Sequence, residues 1–198
     1  RRAISAAMAK MLIFGMGYAA GHLAARLDAR GWEVIGTTQD GRGGSIAFSD
    51  ETAVIGALRS ATHILSSVPP AGGVDPVLER YGETLGVAPA TWVGYLSSTG
   101  VYGDAGGAWV DESAPVRGRR PDRNAADAAW QALRSDVRVF RLPGIYGPGR
   151  SILDRIGEGR AHRIDLADQV FSRIHVDDIA GGVIASFRGP AGVYNLAD

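Results

Sequence analysis

Short apolar runs alternate along the chain with longer segments in which apolar residues recur every three or four positions. Residues 11–14 (MLIF) form such a run, and residues 19–30 follow with Leu23 and Leu27 on one helical face. The same patterns predict strands at 11–14, 33–38, 45–48, 63–68, 91–96, 137–142 and 193–196, and helices at 19–30, 51–59, 76–85, 125–133 and 177–187. Strands and helices that alternate with short connections predict an α/β fold, a doubly wound parallel sheet with helices on both faces.

Residues 11–198 account for this pattern as one domain, which is large enough to fold without a metal or disulfide. Residues 1–10 precede the first strand. Their arginines and small residues are similar to the start of a secretion signal, but the apolar run that follows is too short. We interpret them as a disordered lead-in or a start-site remnant. Residues 103–122 are the one sustained irregular region, and a loop this long is usually functional or mobile.

The composition argues against several classes of function. Acidic and basic residues balance at 21 each, which disfavours a nucleic-acid partner. The absence of cysteine excludes disulfides and thiolate metal sites, and the four histidines are scattered, so we expect no metal. No apolar stretch approaches the ~20 residues that cross a bilayer, so we expect no membrane partner and a cytoplasmic location.

The first strand runs into a glycine-rich turn that opens the first helix. Its sequence GMGYAA (15–20) fits G-x-G-x-x-A, with which Rossmann-type folds hold the pyrophosphate of a dinucleotide. Gly15 permits the tight turn, Gly17 lets the backbone approach the phosphates, and the small Ala20 lets helix and strand pack closely. The phosphates would lie at the helix N-terminus, beside Tyr18. We predict these four residues as cofactor-binding.

The end of the second strand bears on the choice between NAD and NADP. NAD-preferring folds carry an acidic residue there, roughly 20 residues after the glycines, that holds the ribose 2′-hydroxyl. Thr38 and Gln39 occupy that place, Asp40 lies slightly beyond it, and Arg42 is near enough to pair with a 2′-phosphate. We predict that Thr38, Gln39 and Arg42 bind the cofactor; the pattern favours NADP and leaves NAD open.

Three later segments follow the glycine loop in order. They are YLSSTGVYG (95–103), RLPGIYGPG (141–149) and SRIHVDDIA (172–180). Together with the glycine loop they resemble the extended short-chain dehydrogenase/reductase superfamily, in its NAD-dependent epimerase/dehydratase group, and the resemblance covers residues 11–198. More narrowly, GTT (36–38), SVPP (67–70) and YLSSTGVYGD (95–104) look like a bacterial branch of largely uncharacterised members.

The resemblance implies roles for particular residues. Ser98 matches the serine or threonine that hydrogen-bonds the reacting hydroxyl or carbonyl. Asp177 stands at a strand-to-helix corner, where we expect it to cap the helix. The positions implied to line the cofactor are Val68 and Pro69 beside the adenosine ribose, and Pro143, Gly144 and Ile145 on the nicotinamide side.

The chain departs from the family at the catalytic Tyr-x-x-x-Lys pair, in which lysine lowers the tyrosine pKa. Lys10 is the only lysine in the sequence, so the pair is absent. Alignment of the helix by Ala126 and Asp127 places Arg123 at the lysine position and Arg119 at the tyrosine position. Arg123 is therefore a second catalytic candidate, although an arginine hardly ever deprotonates and is a poor proton shuttle.

A substitute proton donor has to come from elsewhere in the chain. The candidates are Tyr102, Tyr146, Asp111 and Glu112. The acidic pair of the family's sugar-nucleotide dehydratases is replaced by Thr99 and Gly100, which argues against a dehydratase of that kind.

These residues predict an NAD(P)-dependent oxidoreductase or epimerase-like enzyme, and the resemblance points to a nucleotide sugar as substrate. The missing pair leaves a second interpretation open, a non-catalytic NADP-binding sensor or regulatory module. A homodimer is also left open. Family members continue past the last core strand into a small substrate domain, so we expect that subdomain to be largely absent here.

Overall fold

Each predicted strand and helix forms in the computed structural model of the chain, which describes residues 8–162 and 170–198. The strands are β1 (Lys10–Phe14), β2 (Glu33–Thr38), β3 (Ile46–Ala47), β4 (His63–Ser66), β5 (Trp92–Ser98), β6 (Val137–Leu142), β7 (Gly144–Tyr146), β8 (Arg173–His175) and β9 (Gly192–Asn195). The α-helices are α1 (Tyr18–Asp28), α2 (Glu51–Ser60), α3 (Pro76–Gly86), α4 (Pro121–Leu133), α5 (Ile152–Gly157) and α6 (Val176–Ala185). Short 3-10 helices lie at Arg42–Gly44, Thr99–Tyr102 and Ser186–Arg188.

One parallel sheet of seven strands organises the described residues, in the order β3-β2-β1-β4-β5-β6-β9. Leu12 of β1, for example, pairs with Ile35 of β2 on one side and with Ile64 of β4 on the other. The strand order therefore reverses between β1 and β4. In open α/β sheets ligands bind at the carboxyl ends of the strands beside such a reversal. The predicted doubly wound, Rossmann-type sheet is confirmed.

Strand β1 shows that the sheet is covered on both faces. Leu12 and Phe14 belong to one core, together with buried residues of α2, α3 and α4. Met11 and Ile13 belong to a second core, together with buried residues of α1 and α6. Because successive side chains of a strand point to opposite faces, a continuous apolar run suits a strand that is buried on both.

Several element ends differ from the sequence-based predictions. Helix α4 begins at Pro121 rather than at residue 125, because proline suits the first helical position and the polar first turn carries no apolar period. Strands β7 and β8 and helix α5 are too short to show a period, so the sequence did not predict them. Residues 103–120 contain neither helix nor strand, close to the irregular region predicted.

Helix α6 is capped differently from the prediction. The His175 side chain, through Nδ1, accepts a hydrogen bond from the backbone amide of Asp177 at 3.2 Å. The Asp177 carboxylate lies instead 3.5 Å from the Arg26 guanidinium of α1. The prediction that Asp177 caps this helix is therefore wrong, because the imidazole already accepts from the amide that a cap would take.

The first strand begins slightly earlier than predicted. Lys10 is already part of β1, one residue before the predicted start, and residues 1–7 of the predicted lead-in lie outside the described residues. Among residues 8–162 and 170–198, no helix combines the length and the apolar character needed to traverse a lipid bilayer.

Candidate functional site

The predicted site residues converge on one edge of the sheet. Strands β2, β1, β4, β5 and β6 are parallel neighbours, so their carboxyl ends lie side by side. In sheet order, the residues at or just after these ends are 38–42, 15–20, 68–69, Ser98 and 143–145. Arg123 comes from the first turn of helix α4, not from a strand end.

The turn after β1 leaves room for another molecule to approach its backbone. Gly15 has a φ of +83°, in the left-handed region that favours glycine, and a Cβ there would stand 2.9 Å from Cγ2 of Val68. Gly17 is exposed, and a Cβ on it would meet no atom within 4 Å. Ala20 is buried in the core that α1 covers. A side chain at position 17 would therefore fill open space rather than clash with the protein.

Helix α1 begins without a capping side chain. Its N-cap is Gly17, and no acidic residue lies in its first turn, whereas carboxylates of Asp50 and Asp75 cap α2 and α3. The backbone amides of Tyr18 and Ala19 have no hydrogen-bond acceptor among the residues that the structure describes. Uncapped amides and the positive end of the helix dipole together favour an anion here.

Two polar side chains that the sequence analysis did not select hold the glycine turn in place. The Thr37 hydroxyl accepts from the Gly15 amide at 3.1 Å, and the Thr37 carbonyl accepts from the Met16 amide at 3.0 Å. The Ser67 hydroxyl donates to the Gly15 carbonyl at 2.5 Å. Both residues flank predicted site positions, which is the signal that could have identified them. The turn is thus fixed from both neighbouring strands.

The loop after β2 carries one acidic and one basic group at its surface. The Arg42 side chain is 81% exposed, and its Nε lies 3.9 Å from Oδ1 of Asp40. Desolvation alone would raise the pKa of Asp40, but hydrogen bonds from the Asp40 and Arg42 backbone and the Arg42 charge lower it. The Thr38 hydroxyl lies 2.7 Å from the Ser45 hydroxyl, and Gln39 is exposed. The loop therefore presents a cation suited to a 2′-phosphate and an anion suited to a 2′-hydroxyl.

Ser98 is the last residue of β5 and is half-buried. Its Oγ accepts a hydrogen bond from the Gly100 amide at 3.1 Å. A hydroxyl that accepts through a lone pair still has its own hydrogen to donate. The described residues record no acceptor for that hydrogen, so Ser98 is able to donate to an oxygen of a bound molecule.

The arginine-rich segment before α4 is fastened next to Ser98. The amides of Arg117 and Gly118 both donate to the Val101 carbonyl, at 2.8 and 2.7 Å. Arg123 follows in the first turn of α4, where it is half-buried. Within the described ranges, no hydrogen bond joins the side chains of Ser98 and Arg123.

Neither Arg119 nor the single lysine can replace the catalytic tyrosine–lysine pair at this site. Arg119 lies exposed in the loop before α4. Lys10 lies at the amino end of β1, where its Nζ pairs with Glu33 at 2.8 Å, so it is at the sheet edge opposite Ser98. No lysine therefore reaches the candidate site.

The four substitute donors are all engaged in other contacts. The Tyr102 hydroxyl donates to Asn195 Oδ1 at 2.7 Å, and Glu112 Oε1 accepts from the Asn195 amide at 2.7 Å. Hydrogen bonds from Ser113 lower the pKa of Asp111, which keeps that carboxyl ionised. A hydrogen bond with Asp198 raises the pKa of Tyr146. None of these contacts prepares its group as a general acid.

A buried ion pair lies beneath this part of the edge. Arg141 of β6 donates through Nη2 and Nε to the Asp127 carboxylate of α4, at 2.8 and 3.1 Å, and both side chains are nearly inaccessible. Ser97 and Gln131 also donate to Asp127, at 2.6 and 2.7 Å. Burial would lower the pKa of Arg141, but hydrogen bonds with Asp127 and Tyr102 raise it, so the guanidinium stays charged.

This buried pair was not predicted from the sequence, although the sequence carries a signal for it. Arg141 interrupts a strand, VRVFRL, in which every residue is buried. A buried arginine needs a charged or polar partner, because an unpaired buried charge is costly. Asp127, on the helix that packs against β6, is the residue that meets this need.

The loop after β6 closes the other side of the edge. Pro143 joins β6 to β7, and Gly144 and Ile145 belong to β7, which pairs in parallel with β8. A Cβ on Gly144 would clash with the Arg173 guanidinium. The Tyr18 hydroxyl, at the start of α1, donates to the Pro148 carbonyl at 2.9 Å. The Arg150 guanidinium carbon lies 5.5 Å from the centre of the Tyr18 ring. The start of α1 and the loop after β7 are thus in direct contact.

Acidic and histidine side chains do not gather into a candidate metal site in the part of the chain that the structure describes.

Comparison with known proteins finds relatives along almost the whole chain, although no family model matches it. Protein YeeZ of Escherichia coli (strain K12) is 28% identical over an alignment of 226 positions that covers 96% of this chain and 77% of YeeZ. The structure of a functionally unknown conserved protein from Silicibacter pomeroyi DSS is 40% identical, with a TM-score of 0.88. That match covers 96% of this chain and 73% of the other.

Other solved structures share the fold. A candidate NAD-dependent epimerase/dehydratase from Methylobacillus flagellatus is 26% identical, with a TM-score of 0.70 over 97% of this chain and 76% of its own. The UDP-glucose 4-epimerase of Thermus thermophilus, solved with NAD, is 20% identical with a TM-score of 0.72 and coverages of 95% and 77%. Human epimerase family protein SDR39U1 (isoform 2), solved with NADPH, is 21% identical with a TM-score of 0.74 and coverages of 95% and 74%.

Proposed function

Since the chain belongs to the extended short-chain dehydrogenase/reductase superfamily, in its NAD-dependent epimerase/dehydratase group, we propose that it is an NAD(P)-dependent oxidoreductase or epimerase-like enzyme. The nicotinamide dinucleotide would lie along the carboxyl edge of the sheet. Its adenosine end would meet the loop after β2 and its nicotinamide end the loop after β6.

The uncapped start of α1 is the observation that carries this proposal. The amides of Tyr18 and Ala19 are left for an anion, and Gly17 exposes its backbone without any side chain in the way. Thr37 and Ser67 hold the turn in this shape before any ligand arrives. A pyrophosphate placed here would gain hydrogen bonds without requiring the loop to reorganise.

We propose that the cofactor is preferentially NADP. Arg42 extends into solvent after β2, where the 2′-phosphate of an adenosine on this edge would lie, and a guanidinium matches phosphate oxygens in pairs. Asp40 opposes this preference in part, because its carboxylate would repel a 2′-phosphate. The human relative solved with NADPH and the bacterial epimerase solved with NAD show that the fold accommodates either form.

The bound nicotinamide would accept or donate a hydride, and the residues of this chain would orient the reacting group. Ser98 would donate a hydrogen bond to the hydroxyl or carbonyl oxygen of the substrate, since its hydrogen has no acceptor among the described residues. Arg123 would supply positive charge near that oxygen without moving a proton. A nucleotide sugar is the substrate class we propose, supported by the UDP-glucose 4-epimerase that shares the fold.

One observation favours a second candidate, a dinucleotide-binding sensor without turnover. The site has no lysine, and Tyr102, Tyr146, Asp111 and Glu112 each make contacts elsewhere. General acid–base catalysis typically contributes about 10²–10⁴-fold, so an enzyme without a placed acid is slow. Tight dinucleotide binding with no turnover on carbonyl and nucleotide-sugar substrates would favour the sensor.

Calorimetric titration with NADPH and NADH tests the proposal directly. We expect the protein to bind at least one of them, and the Gly17→Val variant to lose about 100-fold or more in affinity because its side chain occupies the approach to the backbone. Gly56→Val is the matched control, since Gly56 is exposed on α2 and also has no atom within 4 Å of a Cβ. If Gly17→Val binds as well as Gly56→Val, the cofactor does not lie on this turn.

A further inference from the structure

The contact between Tyr18 and the loop after β7 joins two parts of the edge that the dinucleotide would lie between. Tyr18 is the first residue of α1, and its hydroxyl donates to the Pro148 carbonyl at 2.9 Å. The backbone at Gly147 approaches so closely that a Cβ there would stand 2.7 Å from the Tyr18 hydroxyl. The edge of the His22 ring packs against the tyrosine at a centroid distance of 4.9 Å. Tyr18 is therefore held in one orientation.

Arg150 rests on this fixed ring. Its guanidinium carbon lies 5.5 Å from the centre of the Tyr18 ring, a distance typical of a cation–π contact. The Arg150 amide donates to the Gly147 carbonyl at 2.9 Å, which holds the backbone of the same loop. Among the described residues no carboxylate pairs with Arg150. The charge is thus positioned by an aromatic face and keeps its five N–H donors for another acceptor.

We propose that Arg150 binds the pyrophosphate of the dinucleotide and that Tyr18 is its positioning residue. This inference rests on the proposed function, because the pyrophosphate is the group expected at the start of α1. The guanidinium lies on the ring of Tyr18, whose own amide is one of the uncapped amides, and it adds a full positive charge to their partial one. The glycine turn contacts the phosphates from the backbone side, and Arg150 closes over them from the side of the loop after β7.

The chemistry of this contact distinguishes it from the Arg42 contact at the other end of the cofactor. Arg42 would recognise a 2′-phosphate, which NADP has and NAD lacks. The pyrophosphate is common to both. Arg150 therefore contributes equally to NADPH and NADH, and contributes nothing to adenosine 2′-monophosphate, which has no phosphate on its 5′-oxygen.

The test is a set of calorimetric titrations with NADPH, NADH and adenosine 2′-monophosphate. We expect Arg150→Ala to weaken NADPH and NADH by about tenfold each, because a charge-assisted hydrogen bond is lost. Affinity for adenosine 2′-monophosphate should stay unchanged, which a general disturbance of the fold would not allow. Arg155→Ala, an exposed arginine on α5, is the charge-matched control and should change none of the three.

Variants of Tyr18 test the positioning role. Tyr18→Phe keeps the ring under the guanidinium and deletes only the Pro148 bond, so we expect about a twofold loss, whereas Tyr18→Ala should lose about tenfold. Because both residues would act through one contact, the double variant Tyr18→Ala/Arg150→Ala should lose no more than Arg150→Ala alone. Additive losses would overturn the assignment of Tyr18 as the positioning residue.

The two proposals fail in different ways. If the unmodified protein binds neither dinucleotide nor adenosine 2′-monophosphate, the proposed function itself is wrong. If it binds NADPH, and Arg150→Ala binds equally well, the dinucleotide site stands and the role of Arg150 is overturned.

Discussion

The β1–α1 corner and the β5–α4 corner lie on the same sheet edge but are built on opposite principles. At the first, backbone amides are left without acceptors, the glycines keep space open, and Thr37 and Ser67 fix the turn. At the second, the buried Asp127 and Arg141 side chains pair with each other and with neighbouring side chains, while Ser98 keeps one hydrogen to donate. One corner is prepared to receive an anion, and the other is prepared to hold its own shape.

This difference separates binding from chemistry within one fold. A dinucleotide requires backbone geometry, which the β1–α1 corner has. Proton transfer requires a titratable group near neutral pH, and the sequence alignment predicts arginines, Arg119 and Arg123, at the β5–α4 corner in place of the tyrosine and lysine. Affinity for the cofactor and rate of turnover should therefore respond to different substitutions.

Removal of the buried charge pair should have the largest effect on stability. Arg141→Met leaves the Asp127 carboxylate buried with only the neutral donors Ser97 and Gln131, so we expect the free energy of unfolding to fall by about 3–5 kcal/mol. Urea unfolding followed by tryptophan fluorescence measures it. Lys10→Met, which breaks a half-exposed pair with Glu33, should cost less than about 1 kcal/mol. Equal losses in the two variants would show that the β5–α4 corner is not held by this pair.

Loss of the Ser98 hydroxyl should lower turnover and leave the affinity for the cofactor nearly unchanged. We expect Ser98→Ala to lower any NADP(H)-dependent turnover by about 10²-fold, because an oriented donor to the reacting oxygen is removed. Affinity for NADPH should change by less than about twofold, since the phosphates would contact the other corner under the proposed function. Ser60→Ala, on α2, is the control for loss of a serine hydroxyl. Rapid turnover that survives Ser98→Ala would place the chemistry elsewhere.

Removal of the Arg42 charge should affect only one cofactor. We expect Arg42→Ala to weaken NADPH by about tenfold, or about 1.4 kcal/mol, and to leave NADH unchanged. Competitive titration of the two cofactors measures the ratio. Arg30→Ala, an exposed arginine just after α1, controls for the change in net charge. A parallel loss for both cofactors would argue that Arg42 acts through long-range charge rather than on the 2′-phosphate.

Acid should weaken the fold modestly at the sheet edge opposite the site. Burial, and secondarily the Arg138 charge, lower the pKa of His63 from its ordinary value to about 4. Between about pH 6.5 and 4, the unfolded chain therefore binds a proton at His63 that the folded chain does not bind. The contribution of His63 to the free energy of unfolding is fully present above pH 6.5 and is lost as the pH falls through this range.

Because His63 is only about half buried, we expect a loss of about 1 kcal/mol rather than the full value of the shift. Urea unfolding at pH 7 and pH 4.5 measures it, and His63→Phe should show a smaller difference between the two. An unchanged pH dependence in that variant would assign the effect to other groups. The cofactor affinities of variants at the two corners are best compared above pH 6.5, where the contribution of His63 to stability does not vary with pH.

The fold could be predicted because a sheet buried on both faces requires apolar patterns that are visible in the sequence. The β1 run MLIF and the spacing of Leu23 and Leu27 each follow from one local period. Strands of three residues and a helix of six have no such period, which is why β7, β8 and α5 were missed. The Asp177 cap failed for a related reason: the competing His175 side chain is visible only when both are placed.

The residues of the candidate site also fall into those that the sequence could predict and those that it could not. Gly15 and Gly17 were predictable because the geometry of a strand–turn–helix corner restricts the residue type at each position. The partners of Arg141 were not, since Asp127 and Tyr102 meet it across three elements. The contact of Tyr18 with Pro148 joins residues 130 positions apart, and no local pattern encodes it.

The single lysine has a practical consequence for labelling chemistry. Lys10 carries the only ε-amino group in the sequence, its side chain is 36% exposed, and it stands at the amino end of β1. An amine-reactive fluorophore would therefore modify one side chain at a known place, at the far edge from Ser98 and Gly17. Energy transfer between this fluorophore and a reduced nicotinamide, or one of its analogues, would report whether the carboxyl edge is occupied. No group would have to be attached to that edge.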